Sequence, residues 1–208
     1  MQKLTDLFKI AELTRAQTQY GYILAGMKRG ETSNLAEHHY LVTFVAWQLA
    51  LFANSKGAKI NVPKVLEFCL VHDLGELFGG DIAMPYAKAN PKAREYAKAF
   101  EAENQKFLSN FFGEQQKYYQ ELSDEIMDAK SDESIIAKLA DYIEATHFKH
   151  YANYFSIDDI ELVVPKLRQM LDSMKDEVAK SELSKFLDDW PGEISNGHAR
   201  NALFEGEK

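Results

Sequence analysis

Four ionisable positions fall where helical periodicity asks for apolar side chains: His38, His72, Asp73 and Asp141. His38 shares a helical face with Val42, Val45, Leu49 and Phe52. His72-Asp73 closes the apolar run Val65-Leu66-Glu67-Phe68-Cys69-Leu70-Val71, and Asp141 sits among Ile135, Ile136, Leu139, Ala140 and Ile143. Burying imidazoles and carboxylates is costly unless something compensates them. Inward-projecting ligands from several helices are what an ion held in a helical bundle needs. Two imidazoles with two carboxylates suit a transition metal such as Mn, Fe, Co, Ni or Zn better than calcium. A bound water would then supply a nucleophile. Glu76, four residues after His72 and three after Asp73, crowds the same surface if one helix carries all three. His39 falls about 100° from His38, beside Thr43 and Ala46; either histidine could coordinate, and the apolar face favours His38.

These residues must be carried by helices. Residues 4–27 predict one or two helices split near 18–21, followed by a polar loop at 26–33. Asn34 with Glu37 resembles a capping box, so a helix is expected from there to about Asn54. The next starts near Pro63 and is expected to continue through Phe78, stopping at Gly79-Gly80. Residues 82–91, with two prolines, read as a loop with at most a short turn. A helix over 92–112 has Ala93, Tyr96, Ala97, Phe100, Phe107, Leu108 and Phe111 as its expected buried stripe. Further helices are expected at 115–129, 132–153, 157–178 and 180–189, with the last ending at Trp190-Pro191-Gly192 before a loose tail over 191–208.

The 208 residues suit one domain with a sizeable core. A hydrophobic share of 46% argues against disorder, and scarce strand-like alternation argues for an all-α protein. A net charge of −8 argues against a general nucleic-acid binder. The single cysteine, Cys69, excludes an internal disulfide and reads as a core residue. The opening residues do not form a signal peptide, and no apolar run approaches the ~20 residues of a membrane span. A cytoplasmic protein is expected.

Ala36-Glu37-His38, His72-Asp73 and Leu139-Ala140-Asp141 resemble the H…HD…D signature of the HD-domain metal-dependent phosphohydrolases. More narrowly, Asn34-Leu35-Ala36-Glu37-His38-His39-Tyr40, His72-Asp73-Leu74-Gly75-Glu76 and Gly80-Asp81-Ile82 are similar to the 5′-deoxynucleotidase branch. That branch has a VAEHS helix start, an HDxxE helix and a GD turn. The resemblance spans about residues 18–150 and implies an all-α HD-domain bundle.

It also implies roles: His38, His72, Asp73 and Asp141 as ligands of one divalent metal, and Glu76 as general acid/base near the attacking water. Asp81 would assist the leaving nucleoside oxygen or orient the sugar. The implied substrate is a deoxyribonucleoside 5′-monophosphate. The alternatives are another phosphorylated nucleotide or small phosphomonoester, or a non-catalytic nucleotide-binding module. The family often places an arginine and a tryptophan before the first block; here Gln19-Tyr20-Gly21-Tyr22 stands in that region. Arg29, Lys88 and Arg94 are therefore the candidates to meet phosphate. His39 stands where the family commonly has a small hydroxyl residue. His147, His150 and His198 are not expected to bind metal. The resemblance further implies a homodimer, for which helices 92–112 and 157–174 could supply apolar surface.

Overall fold

The computed structural model describes residues 2–197 and residue 199. Among the described residues there are nine α-helices and no β-strand: α1 (Gln2–Ala11), α2 (Leu35–Ser55), α3 (Val62–Val71), α4 (Met84–Ala89), α5 (Pro91–Ser109), α6 (Gln116–Asp128), α7 (Asp132–Tyr151), α8 (Ile157–Asp172) and α9 (Glu177–Ser195). The centre is α2, which packs mainly on α7 and α3 and is flanked by α9. One continuous core runs through Val42, Phe68, Ile126, Ile136, Leu167 and Leu187, all essentially without solvent contact. Each such side chain contributes about 1.5–3 kcal/mol relative to exposure.

The expected capping box opens α2. Asn34 Oδ1 accepts from Glu37 N at 3.0 Å, and the Glu37 carboxylate reaches back to Asn34 N. Leu35 N donates to Gln17 O at 2.9 Å and Gln19 N to Ser33 O at 3.0 Å. This bridge pins the 3₁₀ segment Tyr20–Ala25 beside the start of α2.

The expected single helix over the His72 region is broken. α3 ends at Val71, Asp73 leaves helical geometry at φ −117° and ψ 15°, and a 3₁₀ turn covers Leu74–Phe78. The break strands backbone carbonyls that α5 satisfies. Gln105 Nε2 donates to Val71 O at 3.1 Å, and Asn104 Nδ2 to Gly75 O at 2.7 Å. Those amides, not the aromatic residues, therefore face inward on α5. Leu108 is buried as expected, but Tyr96, Phe100 and Phe107 are exposed. The expected stripe over 92–112 is corrected accordingly.

Three other boundaries differ from expectation. Met84–Ala89 forms a helix in the supposed loop. α8 stops at Asp172 because Asp176 caps the next helix, its Oδ1 accepting from Val178 N and Ala179 N at 3.0 and 2.9 Å. α9 runs through Pro191 to Ser195 rather than ending near Trp190, since buried Trp190 and Ile194 hold its last turns. His198 and the tail from 200 lie outside the described residues.

Candidate metal centre

His38 enters from the first turns of α2, His72 from the C-terminal end of α3, Asp73 from the break that follows, and Asp141 from the middle of α7. One donor atom from each lies within 4.8 Å of the other three. His38 Nε2 and His72 Nε2 face one another at 3.3 Å. Asp141 Oδ1 is 3.3 Å from His38 Nε2, and Asp73 Oδ2 is 3.3 Å from His72 Nε2. Both histidines are buried.

The far side of each ring fixes its tautomer. His72 Nδ1 donates to the Cys69 carbonyl at 2.8 Å, which satisfies an acceptor in the last turn of α3. His38 Nδ1 lies 2.6 Å from Glu144 Oε2. With both Nδ1 atoms donating, both Nε2 atoms present lone pairs to the same point, beside two carboxylate oxygens. Four acceptors converging in this way could hold a cation, and the donor set fits a divalent transition metal. Imidazoles whose other nitrogen donates to a carboxylate or carbonyl are the usual arrangement of metal-ligating histidines.

The electrostatics of the ion-free cluster follow from the same crowding. Burial opposes ionisation of Asp73, but His72, His38 and Lys138 outweigh it and hold the carboxyl well below its usual range. Burial likewise opposes the charge on Asp141, while the His38 contact leads the opposing effects and keeps it low. Burial lowers His38, yet Asp141, Asp73 and Glu144 overcome it and raise the ring's pKa well above its ordinary value. His39 is buried against His72, and burial first, then that neighbour, pushes it down to about 3. Its Nε2 has no hydrogen-bond partner, and it is not among the four converging donors.

The cluster opens into a cleft of about 640 Å³ whose walls include Asp73, Glu76, Asp81, Lys138, Asp141 and Tyr142. Burial pushes Glu76 well up, reinforced by Asp73 and Asp81. Burial also raises Asp81, against a hydrogen bond from Gly21 N to its Oδ2 at 2.7 Å. That bond ties the Tyr20–Ala25 segment to the turn after Gly79-Gly80, whose φ values of 99° and 111° suit glycine. Gln19 and Tyr22 line the same cleft, and Gln19 Oε1 and the Tyr22 hydroxyl lack hydrogen-bond partners. A second hollow, bounded by Glu31 and residues 151–154, lies away from these groups.

Of the three cations expected to meet phosphate, Lys88 and Arg94 line the cleft, whereas Arg29 is exposed on the 26–33 loop and does not. Sequence reasoning missed Glu144 and Lys138. A signal was present: Lys138, Asp141 and Glu144 recur every three residues, so α7 presents them along one side. His147 Nε2 accepts from the Trp190 indole N–H at 3.0 Å, and His150 packs edge-on to Phe155. Burial pushes the Cys69 thiol up to about 12, as befits a core residue.

An all-α bundle in which histidines and aspartates from three helical regions converge in the H…HD…D order defines an HD-type domain. Residues 22–189 match the family described as 5′-deoxynucleotidase YfbR-like, and the chain belongs to that family. A 5′-deoxynucleotidase of Vibrio vulnificus is 40% identical over 85 residues, covering 40% of this chain and 44% of that protein. One of Photorhabdus laumondii is 32% identical over 117 residues, covering 55% and 59%. The chain thus spans about half the length of the curated relatives it matches. The crystal structure of the PH0347 protein from Pyrococcus horikoshii shares the fold, with a TM-score of 0.64 at 18% identity over 91% of this chain and 99% of that one. A Pyrococcus furiosus protein gives 0.61 at 23% identity over 88% and 98%.

Proposed function

We propose that the protein hydrolyses the 5′-phosphomonoester of deoxyribonucleoside monophosphates, releasing inorganic phosphate and the nucleoside. The observation that carries this reading is the convergence of His38, His72, Asp73 and Asp141 at the floor of a cleft that also holds Glu76 and Asp81. Membership of the YfbR-like family and its relatives' being 5′-deoxynucleotidases support the substrate class.

His38, His72, Asp73 and Asp141 would hold the divalent ion, which when bound would supply Lewis acidity and lower the pKa of water towards neutrality. Mn, Fe, Co, Ni and Zn all suit the donor set. Glu76 takes the proton of the attacking water as the new P–O bond forms. Asp81, fixed by Gly21 N, protonates or orients the leaving 5′-oxygen as the old P–O bond breaks. The protein's part is positioning and charge neutralisation, which is most of what phosphoryl transfer demands.

One observation favours a broader substrate range. Gln19 Oε1 and the Tyr22 hydroxyl line the cleft without protein partners. Buried polar atoms of this kind are normally satisfied, and a hydroxyl-rich sugar would satisfy them, so ribonucleotides belong in any substrate panel.

No helix among the described residues is long and apolar enough to cross a membrane, and the cytoplasm is the proposed location. A homodimer is proposed as well, but not through α8, whose Ile160, Val163, Leu167 and Leu171 are buried. Of the two helices expected to supply apolar surface, α5 does expose Tyr96, Phe100 and Phe107, and a further exposed set lies on α2, with Tyr40, Leu41, Phe44, Trp47, Leu51 and Phe52.

The deciding experiment is phosphate release from deoxy- and ribonucleoside 5′-monophosphates by metal-stripped protein resupplied with Mn²⁺, Co²⁺ or Zn²⁺. Turnover of deoxynucleotides that disappears in Asp73→Ala is expected. Silence across the panel with metal bound would discard the nucleotidase reading.

A further inference from the structure

We propose that Lys138 is the cation that grips the phosphoryl oxygens, a role that rests on the reaction proposed above and places the phosphate at the inner end of the cleft. Lys138 Nζ lies 3.9 Å from Asp73 Oδ1 and 4.0 Å from Asp141 Oδ2. These are the carboxylate oxygens turned away from the histidines, whose near contacts are Asp73 Oδ2 and Asp141 Oδ1. The ammonium group therefore stands alongside the metal centre without occupying it.

Its hydrogen-bonding capacity is unspent. An ammonium carries three N–H donors, yet Lys138 makes no hydrogen bond of 3.5 Å or less to a described residue; both carboxylate contacts are longer. Its side chain is 22% exposed, and it lines the cleft. A cation so placed is held by charge while its donors remain available to an anion. Other cations of the cleft are less suited. Lys149 is committed to Asp159 at 2.6 Å, Lys88, Arg94 and Lys98 are exposed, and Lys166 on α8 makes no ion pair with Asp73 or Asp141.

The substrate's terminal phosphate matches this arrangement. A phosphoryl group seated against Asp73 and Asp141 would bring an oxygen within reach of Lys138, whose ammonium would meet its charge on that side. The phosphate is then seated deepest, and the nucleoside extends towards Gln19, Tyr22 and Arg94. This also accounts for the missing arginine near residues 19–22: the required positive charge comes from α7, three residues before the ligand Asp141.

The test uses inorganic phosphate as the probe, titrated calorimetrically into Mn²⁺-loaded wild-type protein, Lys138→Met and Lys138→Arg. Loss of a charge-assisted hydrogen bond should weaken phosphate binding by roughly tenfold or more in Lys138→Met, with partial retention in Lys138→Arg. A second measurement needs no variant: in the metal-loaded wild type, phosphate should protect Lys138 from acetylation, read by mass spectrometry. Unchanged phosphate affinity in Lys138→Met with weakened Mn²⁺ binding would make Lys138 a brace for the two aspartates and overturn the proposal. Equal labelling of Lys138 with and without phosphate, or no phosphate binding by the loaded wild type, would overturn it too. Because phosphate is common to all phosphomonoesters, Lys138-dependent binding without nucleotide turnover would retain the proposal and remove only the substrate reading.

Discussion

Glu144 Oε2 lies 2.6 Å from His38 Nδ1, joining α7 to α2 beneath the candidate metal centre. The contact fixes which imidazole nitrogen carries hydrogen and aims the other at Asp73 and Asp141. Glu144→Gln keeps the size but not the charge, so the ring loses basicity and orientation. Carboxylates behind metal-bound histidines are worth roughly 10–100-fold in metal affinity, and a loss of that size is expected. Titration of Mn²⁺ or Co²⁺ into metal-stripped protein measures it, with helical circular dichroism as the folding control. Wild-type affinity would show that the contact is only packing.

Glu76→Gln separates binding from chemistry. Glu76 lines the cleft but is not one of the four converging donors. Metal affinity should therefore stay near that of the wild type while kcat falls by about 10²–10⁴, the usual contribution of a positioned acid or base. The substitution removes the carboxyl but retains its volume. Steady-state phosphate release alongside a metal titration reads both quantities, and an unchanged kcat would remove Glu76 from the mechanism.

Much of the site was legible because burying a charged group is expensive, so a His or Asp on an apolar stripe is a strong local signal. His38, His72, Asp73 and Asp141 all carried it, and the capping box at Asn34 fixed where α2 begins. The break after Val71 was not legible. Its cause is tertiary: the amides of Asn104 and Gln105, some thirty residues away, supply hydrogen bonds to carbonyls that a continuous helix would have used internally. The same contacts reverse α5. Periodicity located its aromatic stripe, but which stripe faces inward depends on what the neighbour offers, and here the neighbour offers backbone carbonyls.

Gly75 tests that docking directly. A Cβ added there would stand 2.8 Å from Glu101 Cγ and 2.9 Å from the Glu101 backbone oxygen. The backbone atom cannot swing aside, so Gly75→Ala must push the Leu74–Phe78 turn away from α5. Overpacking of this kind costs about 1–3 kcal/mol, and the melting temperature should fall by several degrees. Glu76 is the next residue, so activity should drop more than stability alone explains. Differential scanning calorimetry paired with kcat is the check, and an unshifted melting temperature would mean the approach is looser than described.

Asp176 gives a pH signature far from the metal. Its carboxylate accepts from Ala179 N at 2.9 Å, Lys59 N at 2.8 Å and Val178 N at 3.0 Å, capping α9 and tying it to the loop after α2. The Ala179 bond, then the Lys59 bond, hold its pKa below the ordinary 3.8. Because the folded value is the lower one, the stabilisation is complete above the unfolded pKa and is lost as pH falls through the folded value. Asp176→Ala should cost about 1 kcal/mol at neutral pH. The gap from wild type should close below about pH 3.8. Urea melts at both pH values measure this, and a gap independent of pH would show that the carboxylate's charge is irrelevant.

The outward face of α2 carries the argument for association. From His38 to Ser55 the chain contains no Asp, Glu, Lys or Arg. Tyr40, Phe44, Trp47 and Leu51 follow one helical stripe, with Leu41 and Phe52 on the adjacent one, and all six are exposed, Tyr40 by 70%. Contiguous apolar surface of this kind is unusual on a monomer and marks an interaction site. A two-fold pairing brings the same patch from each copy together and closes the assembly. Sedimentation should therefore return the mass of two 23.7 kDa chains. Phe44→Glu combined with Trp47→Glu should return one, because four desolvated carboxylates would meet at the axis without partners. Neither residue lines the cleft, so phosphate release by the monomer should persist. A single-chain mass for the unsubstituted protein would refute the dimer outright.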